Sequence, residues 1–203
     1  MTSAIWDFWA KRYNKLWVQK YSLRPTREYL LETELEGKNL KILDLGSGPG
    51  ELIEELYKKN ADLNIAAIDF SEEMINISKE RNPKAIHIKM DVEDLNEIEQ
   101  KFNVIFCTHS LPYYRNPKKV MKNLNNILVD NGELYIGFAS GNNFYDKFVL
   151  AFVKLTTGQA YYPSDREFKT LIEPYFYVEN LKIIKERFFM PRIAIYKLKK
   201  VKR

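Results

Sequence analysis

Short apolar runs and amphipathic stretches alternate along the chain between positions 39 and 140. The apolar runs read LKILDL, LNIAAIDF, AIHIKM, FNVIFCTH and, after an Asn-Gly turn, NGELYIGF, and each has the length and composition of a strand. Helical spacing follows in ELIEELYKKN, SEEMINISKERN and PKKVMKNLNNIL, while VEDLNEIEQ predicts a short helix or turn. Because the connections between these elements are short, the pattern predicts a parallel sheet with right-handed crossovers.

The pattern changes after position 141. A helical, aromatic-rich stretch reaches about position 155, and a further helix is predicted around 166–171. Two long strand patterns, ENLKIIKERFF and RIAIYKLKK, then flank Met190-Pro191 and predict a hairpin at one edge of the sheet. We therefore expect an α/β fold with a Rossmann-like, doubly wound sheet of seven strands, mostly parallel, whose C-terminal hairpin forms an antiparallel edge.

Aromatic residues recur at helical spacing in two segments outside the alternating part. They are Trp6, Trp9, Tyr13 and Trp17 near the N-terminus, and Phe144, Phe148 and Phe152 after the fifth predicted strand. Three interpretations stay open: fixed packing against the core, a lid over a site, or helices at a membrane surface. As one domain, the chain divides into an N-terminal helical cover (1–38), a core (39–140), a helical lid insertion (141–176) and the hairpin (177–203).

Composition narrows this picture only slightly. The length of 203 residues suits one domain, and the single cysteine, Cys107, excludes an internal disulfide, so we expect a cytoplasmic protein. No signal peptide or membrane span is predicted. The net charge of +5 arises partly from the tail KLKKVKR, and no nucleic-acid motif accompanies it, so nucleic acid is not an expected partner. The two histidines form no cluster with metal-ligand spacing, so no metal is expected.

A glycine-rich turn follows the first predicted strand in the sequence KILDLGSGPGELIEEL. A phosphate-binding P-loop would need Lys and Ser or Thr after its last glycine, and a dinucleotide fingerprint would need glycine at position 51, where this chain has Glu51. Asp44 makes the other end of the turn acidic as well. The turn therefore favours a cationic ligand without a phosphate group. Gly48 is expected where a side chain would collide with that ligand or with the start of the next helix.

S-adenosylmethionine has these properties, because it carries a sulfonium, an ammonium, a ribose and an adenine. Asp69 ends the second strand, where a carboxylate can accept hydrogen bonds from both ribose hydroxyls, although enzymes that bind NAD have an acid there too. Asp91 and Val92 follow the third strand and can receive the adenine amino group and ring. The carboxyl ends of parallel strands lie at one edge of the sheet, so we expect these residues to form one site.

The segments ILDLGSGPG, IDFSEEMI, MDVEDL, FNVIFCTHSLPYYRNP and NGELYIGF, spanning roughly 40–138, resemble class I S-adenosylmethionine-dependent methyltransferases. The resemblance is to the type 11-like group that methylates small molecules. It implies that the chain is an enzyme that binds S-adenosylmethionine and moves its methyl group in line to an O, N or C nucleophile of a small, partly apolar molecule. The residues it assigns to the cofactor are Asp44, Gly46, Ser47, Gly48, Gly50 and Thr108 for the methionine part, Asp69 for the ribose, and Phe70, Met74, Asp91 and Val92 for the adenine.

Candidates for handling the methyl acceptor lie near the strand ends and in the predicted cover. His109, Tyr13 and Tyr113 are the candidate catalytic residues, with Tyr114 and Tyr145 nearby, and we expect the two aromatic segments to meet over the methyl group. His109 could instead shape its loop.

Two other functions remain open. One is a cofactor-binding protein without chemistry, or a partner subunit; the other is an RNA or protein methyltransferase. The sequence THSLPYY lacks the Asn-Pro-Pro-Tyr-type signature of enzymes that methylate nucleic-acid bases, which disfavours that substrate. The sequence predicts neither the identity of the acceptor nor the oligomeric state.

Overall fold

A computed structural model describes residues 7, 19–35, 39–142, 146, 149–150, 160–187 and 190–202. Its strands are β1 (Lys41–Leu45), β2 (Asn64–Asp69), β3 (Ile86–Lys89), β4 (Phe102–Thr108), β5 (Leu128–Ala139), β6 (Phe176–Ile184) and β7 (Ile193–Lys200). Its described α-helices are α1 (Arg24–Leu30), α2 (Glu51–Lys59), α3 (Glu72–Arg81), α4 (Pro117–Ile127) and α5 (Asp165–Ile172). A π-helical turn (Gln19–Leu23) and two 3₁₀ turns (Val92–Glu97 and Leu111–Tyr113) complete the set.

The strands form one seven-stranded sheet in the order β3-β2-β1-β4-β5-β7-β6. Strands β1 to β5 pair in parallel, whereas β7 is antiparallel to both β5 and β6, and it lies between them. The predicted fold class is confirmed, including the antiparallel edge. Leu45 at the end of β1 is level with Ile68 in β2 and Cys107 in β4, so the loops that follow these three strands emerge side by side.

Local sequence explains where the helices begin. Ser71 precedes α3 in an extended conformation, and its hydroxyl accepts a hydrogen bond from the Met74 N–H. Asn116 caps α4 in the same way, and Ser164 forms a capping box with Glu167 at α5. These caps fix the angle at which each helix leaves its loop.

Two buried layers hold the sheet, one on each face. On one face, the ring centroid of Phe168 from α5 lies 5.0 Å from that of Phe138 and 4.4 Å from that of Tyr196. On the other face, Leu30 of α1 packs with Ile53 of α2 and with the strand residues beneath them. Helix α1 therefore lies on the same face as α2, the helix that follows the glycine-rich turn.

Two predicted features differ from the structure. The Asn-Gly turn expected before the fifth strand is an irregularity inside β5, where the pairing shifts between the Phe102–Leu128 and Val104–Glu133 pairs. The predicted lid insertion over 141–176 includes α5, whose Phe168 and Ile172 are buried in the core, so this part of the insertion is a layer of the fold. Its amphipathic pattern reflects one face against the sheet and one against solvent.

The aromatic residues at helical spacing in the two predicted segments, and Tyr145 with them, lie outside the described residues. They are Trp6, Trp9, Tyr13, Trp17, Phe144, Tyr145, Phe148 and Phe152. Asp7, from the N-terminal segment, is described, and its carboxylate accepts a hydrogen bond of 2.6 Å from the Ser71 hydroxyl. The meeting of the two aromatic segments over the methyl group stays a prediction. Within the described ranges, no helix combines the length and apolarity needed to cross a bilayer.

Candidate functional site

Two adjoining cavities open at the carboxyl ends of β1, β2 and β4. The first, here the Asp69 cavity, is lined by Gly46, Gly48, Asp69, Phe70, Met74, Asp91, Val92, Glu93, Thr108, His109, Ser110, Tyr113, Tyr114 and Arg115. The second, here the Arg27 cavity, is lined by Leu23, Arg27, Asp44, Gly46, Ser47, Gly48, Pro49, Glu51, Leu52, Thr108 and His109. Every predicted cofactor residue except Gly50 therefore lines one or both of them.

The glycine-rich turn forms the shared wall of the two cavities. Gly48 has φ +53°, and its N–H donates a 2.9 Å hydrogen bond to Asp69 Oδ2. A Cβ built on Gly48 would meet nothing within 4 Å, so the expected collision with the next helix is wrong, and the collision with a ligand stays a prediction. Ser47 Oγ is buried and has no hydrogen-bond partner within the described part of the chain.

Gly48 and Gly50 offer a matched pair of substitutions. Both have positive φ, so alanine strains the backbone similarly at each. A Cβ on Gly50 would lie 2.3 Å from Ser78 Oγ and 2.5 Å from Asn82 Nδ2, whereas a Cβ on Gly48 faces open space. We expect Gly48→Ala to weaken binding of S-adenosylhomocysteine about tenfold with a small change in melting temperature. Gly50→Ala should mainly lower the melting temperature. Calorimetry and thermal melts of both variants test this, and equal losses of binding would contradict it.

Asp69 is held in a fixed orientation at the end of β2. Its Oδ1 accepts a hydrogen bond from the Ser71 N–H and its Oδ2 one from the Gly48 N–H, both at 2.9 Å. Burial raises the pKa of this carboxyl, and the backbone N–H groups of Ser71, Gly48 and Phe70 oppose the rise. Each oxygen keeps a further lone pair, so the side chain can still accept two hydrogen bonds from a ligand.

Asp44 is the most deeply buried acid of the site, with 3% of its surface exposed. Burial, and then the charge of Asp69, raise its pKa to about 7, while the charge of Arg27 lowers it. No hydrogen bond joins its carboxylate to any residue that the structure describes. A buried carboxylate without a partner is costly, and a cationic ligand in the Arg27 cavity would relieve that cost.

The expectation that the turn is acidic at both ends is only partly right, because Arg27 lies next to one of them. This residue of α1 forms ion pairs of 2.8 Å with Glu51 and 3.1 Å with Glu55, so the charge at the start of α2 is offset. Asp44 and Asp69 also line the cavities, and neither forms an ion pair with a residue that the structure describes. Within the described part of the chain, no group of three potential ligands could hold a metal ion.

Asp91 lies at the other end of the Asp69 cavity, and its carboxylate already has two partners. Oδ1 accepts a hydrogen bond of 3.0 Å from the Glu93 N–H, and Oδ2 is 2.8 Å from Arg115 Nη2. Arg115 is 63% exposed in its side chain. In the predicted contact with an adenine amino group, Asp91 would share its carboxylate with this exposed cation.

His109 follows β4 in a left-handed conformation, with φ +58°. Its backbone N–H donates a hydrogen bond of 2.6 Å to the Gly137 carbonyl, and the ring Nε2 lies 3.0 Å from Thr26 Oγ1. Burial and then the charge of Arg27 lower its pKa to about 4, so the ring is neutral at physiological pH. A non-glycine residue in this conformation, at a cavity wall, is typical of functional sites.

The predicted tyrosines divide into three groups. Tyr113 lines the Asp69 cavity, and its hydroxyl is 3.3 Å from that of Tyr162. Tyr114 turns its hydroxyl inward, 2.8 Å from Ser110 Oγ and 3.2 Å from Cys107 Sγ. Tyr13 and Tyr145 lie outside the described residues. Of the candidate catalytic residues, the structure therefore brings His109 and Tyr113 to one cavity.

Comparison with known proteins gives this fold and site a family. The methyltransferase domain family matches residues 36–166, and the chain belongs to it. The resemblance to class I S-adenosylmethionine-dependent methyltransferases is thus confirmed, and S-adenosylmethionine is the cofactor of that class. Ubiquinone biosynthesis O-methyltransferase from Coxiella burnetii is 28% identical over 124 residues, which cover 59% of this chain and 52% of the relative. The chain therefore spans about half the length of such curated relatives.

Solved structures agree on the fold. One is a chain of the complex between the Haloferax volcanii Trm112 methyltransferase activator and a putative methyltransferase: it has a TM-score of 0.84 at 12% identity, with 100% of this chain and 99% of that chain covered. The N-methyltransferase NodS from Bradyrhizobium japonicum, in complex with S-adenosylhomocysteine, has a TM-score of 0.71 at 14% identity, covering 88% of this chain and 87% of its own.

Two site residues of α1, Arg27 and Thr26, were not predicted from the sequence. The only local signal is Pro25, which suits the first turn of a helix and predicts that a helix begins there. Nothing in the sequence indicates that this helix faces the glycine-rich turn. Ser110 and Arg115 also line the Asp69 cavity without having been predicted to, although both lie within the segment THSLPYYR, part of the family resemblance.

Proposed function

We propose that the chain is a methyltransferase that uses S-adenosylmethionine to methylate a small molecule. The observation that carries the proposal is Asp44, a buried carboxylate without a described hydrogen-bond partner at the wall of the Arg27 cavity. The ammonium of a methionine moiety carries the positive charge that would pair with this carboxylate. The open space beside Gly48 and the buried hydroxyl of Ser47 also suit a ligand that approaches the backbone closely.

The remaining residues would bind the ribose and the adenine of the cofactor. Asp69, held by two backbone N–H groups, would accept hydrogen bonds from the ribose hydroxyls. Phe70 and Met74 line the same cavity and would flank the adenine, with Val92 at its edge. When bound, S-adenosylmethionine supplies an activated methyl group. The protein must then position a nucleophile and exclude water, which is a task of geometry more than of acid–base strength.

His109 is the residue that we propose faces the methyl acceptor, together with Tyr113. A neutral imidazole can accept a hydrogen bond from a hydroxyl or amine, but a pKa near 4 makes it a weak base at neutral pH. Such a group suits an acceptor that needs orientation and little help in losing a proton. The O-methyltransferase activity in the name of the Coxiella relative supports a hydroxyl as that acceptor.

The test is methyl transfer from labelled S-adenosylmethionine in the presence of a small-molecule extract. We expect label in the low-molecular-weight fraction, and we expect His109→Ala to lower turnover about tenfold, below the roughly hundredfold or more of a well-matched base. His87→Ala is the matched control, because His87 is bonded to Ser78 and Ala85 and lines neither cavity.

Other outcomes would favour the other candidate functions. Label in the RNA fraction, with binding that weakens steeply as salt rises, would indicate an RNA methyltransferase. Binding of S-adenosylhomocysteine without any methyl transfer would instead indicate a cofactor-binding protein or a partner subunit.

A further inference from the structure

The side chain of Thr26 joins helix α1 to the loop after β4. Thr26 is fully buried, although it is a polar residue. Its hydroxyl oxygen lies 2.8 Å from the carbonyl oxygen of Ser22 and 3.0 Å from Nε2 of His109. The hydroxyl therefore has two partners, and one of them, His109, is 83 positions away in sequence.

The direction of these two hydrogen bonds follows from counting protons. A hydroxyl has one hydrogen to donate, and a carbonyl oxygen can only accept. The Thr26 hydrogen therefore points to Ser22, and its oxygen accepts from the imidazole. His109 must then carry its hydrogen on Nε2, as the network assigns it. Since the ring is neutral, Nδ1 keeps its lone pair.

The rest of the ring's surroundings leave Nδ1 available to a ligand. No hydrogen bond joins Nδ1 to a residue in the described part of the chain, and His109 lines both the Asp69 and the Arg27 cavity. The hydrogen bond from the backbone N–H of His109 to the Gly137 carbonyl holds the backbone of His109 in the left-handed conformation. This limits how the ring can move.

We propose that Thr26 is a positioning residue, which fixes His109 with its hydrogen on Nε2 and so presents Nδ1 as a hydrogen-bond acceptor to the methyl acceptor. The role in catalysis rests on the proposed function. It narrows the substrate class, because Nδ1 can then orient only an acceptor whose nucleophilic atom carries a hydrogen, such as a hydroxyl or an amine. A thioether or an unprotonated ring nitrogen would find no partner at this atom.

His87 provides an internal reference for the experiment. Its Nδ1 lies 3.0 Å from the Ala85 carbonyl, which can only accept, so His87 carries its hydrogen on Nδ1. Its Nε2 then accepts from the Ser78 hydroxyl at 3.0 Å. The chain has two histidines, and the structure assigns them opposite tautomers.

The test is an imidazole ¹H–¹⁵N spectrum of the full chain with ¹⁵N-labelled histidine. In the unmodified protein we expect Nε2–H at His109, observed directly because its hydrogen is protected, and Nδ1–H at His87. Thr26→Val removes the accepting oxygen and should abolish the directly observed Nε2–H signal of His109, while Thr26→Ser should restore it. His87 should be unchanged in both variants.

Thr170→Val is the matched control for the loss of a helical threonine. Thr170 also bonds the carbonyl four residues earlier, at 3.1 Å from Arg166, and it contacts no histidine. This variant should leave both imidazole signals in place. Thermal melts and binding of S-adenosylhomocysteine by Thr26→Val verify that the fold and cofactor site persist, and retained binding with a lost Nε2–H signal supports the inference.

The outcomes separate this inference from the proposed function. Nδ1–H at His109 in the unmodified protein, or an unchanged His109 signal in Thr26→Val, would overturn the role of Thr26 even if methyl transfer is observed. The predicted tautomers in a chain that transfers no methyl group would uphold the assignment and overturn the orientation of an acceptor. With turnover established, Thr26→Val should lower kcat several-fold while Thr26→Ser recovers it.

Discussion

Asp69→Asn is expected to weaken binding of S-adenosylhomocysteine at least a hundredfold. The carboxylate would accept hydrogen bonds from two ribose hydroxyls, and a hydrogen bond to a charged group contributes about 1.5–3 kcal/mol. The asparagine keeps one oxygen, which the N–H groups of Gly48 and Ser71 would compete for. The ribose therefore loses both its charged partner and most of the remaining accepting capacity.

Isothermal calorimetry measures this directly, and asparagine is preferred to alanine because it leaves fewer buried N–H groups without a partner. Asp94→Asn is the control, since Asp94 is half exposed and pairs with Lys119 at 3.7 Å, away from both cavities. Unchanged affinity in folded Asp69→Asn would remove Asp69 from the cofactor site and, with it, the ribose assignment.

Binding of S-adenosylhomocysteine should strengthen about a hundredfold between pH 5 and pH 7 and level off above. The pKa of Asp44 is raised to about 7 in the ligand-free protein, so the carboxyl is protonated over this range. An ammonium in the Arg27 cavity would favour the charged carboxylate and lower that pKa, so binding releases a proton. His109 titrates near pH 4 and stays neutral throughout this range.

The groups that face Asp44 must be separated experimentally. Burial raises the pKa of Asp69 in the same direction, and the charge of Arg27 lowers the pKa of Asp44. In Asp44→Asn the pH dependence between 5 and 7 should disappear, along with most of the affinity. Calorimetry in two buffers with different ionisation enthalpies counts the released protons. If the pH dependence persists in Asp44→Asn, the proton belongs to Asp69 and the ammonium does not meet Asp44.

The same carboxyl makes the ligand-free fold sensitive to pH. Because the pKa of Asp44 is raised in the folded protein, protonation of its carboxyl contributes to the free energy of unfolding. That contribution is complete below the unfolded pKa of 3.8 and is lost as the pH rises towards 7, by up to about 4 kcal/mol. Denaturation of the protein and of Asp44→Asn across this range should diverge, with the variant becoming the more stable at higher pH. Site function and stability thus oppose each other at this residue.

Much of the site could be predicted because a parallel sheet aligns its carboxyl ends. Once the apolar runs define β1, β2 and β4, the positions of Asp44, Asp69 and Thr108 follow from strand register. The identity of the cofactor class followed from the residues that the turn lacks. These inferences depend on local sequence and on a topology with few alternatives.

The rest depends on contacts between distant segments, which leave no local signal. Arg27 and Thr26 reach the site because Leu30 packs α1 against the core beside α2. No residue spacing in α1 predicts that placement. The partner of Asp91 is Arg115, 24 positions away. The positive φ of His109 occurs at a residue type that seldom adopts it, and no local pattern in the sequence predicts it.

The position of β7 also determines the order in which the protein can be built. Residues 193–200 insert between β5 and β6, and Ala194, Ile195, Tyr196 and Leu198 are at most 1% exposed. A nascent chain that has not yet released residue 200 from the ribosome therefore presents β5 as an open hydrophobic edge, with the aromatic cluster of Phe138 and Phe168 incomplete. The β5–β7–β6 edge cannot form before β7 is available, and until then β5 is an edge at which the chain can aggregate.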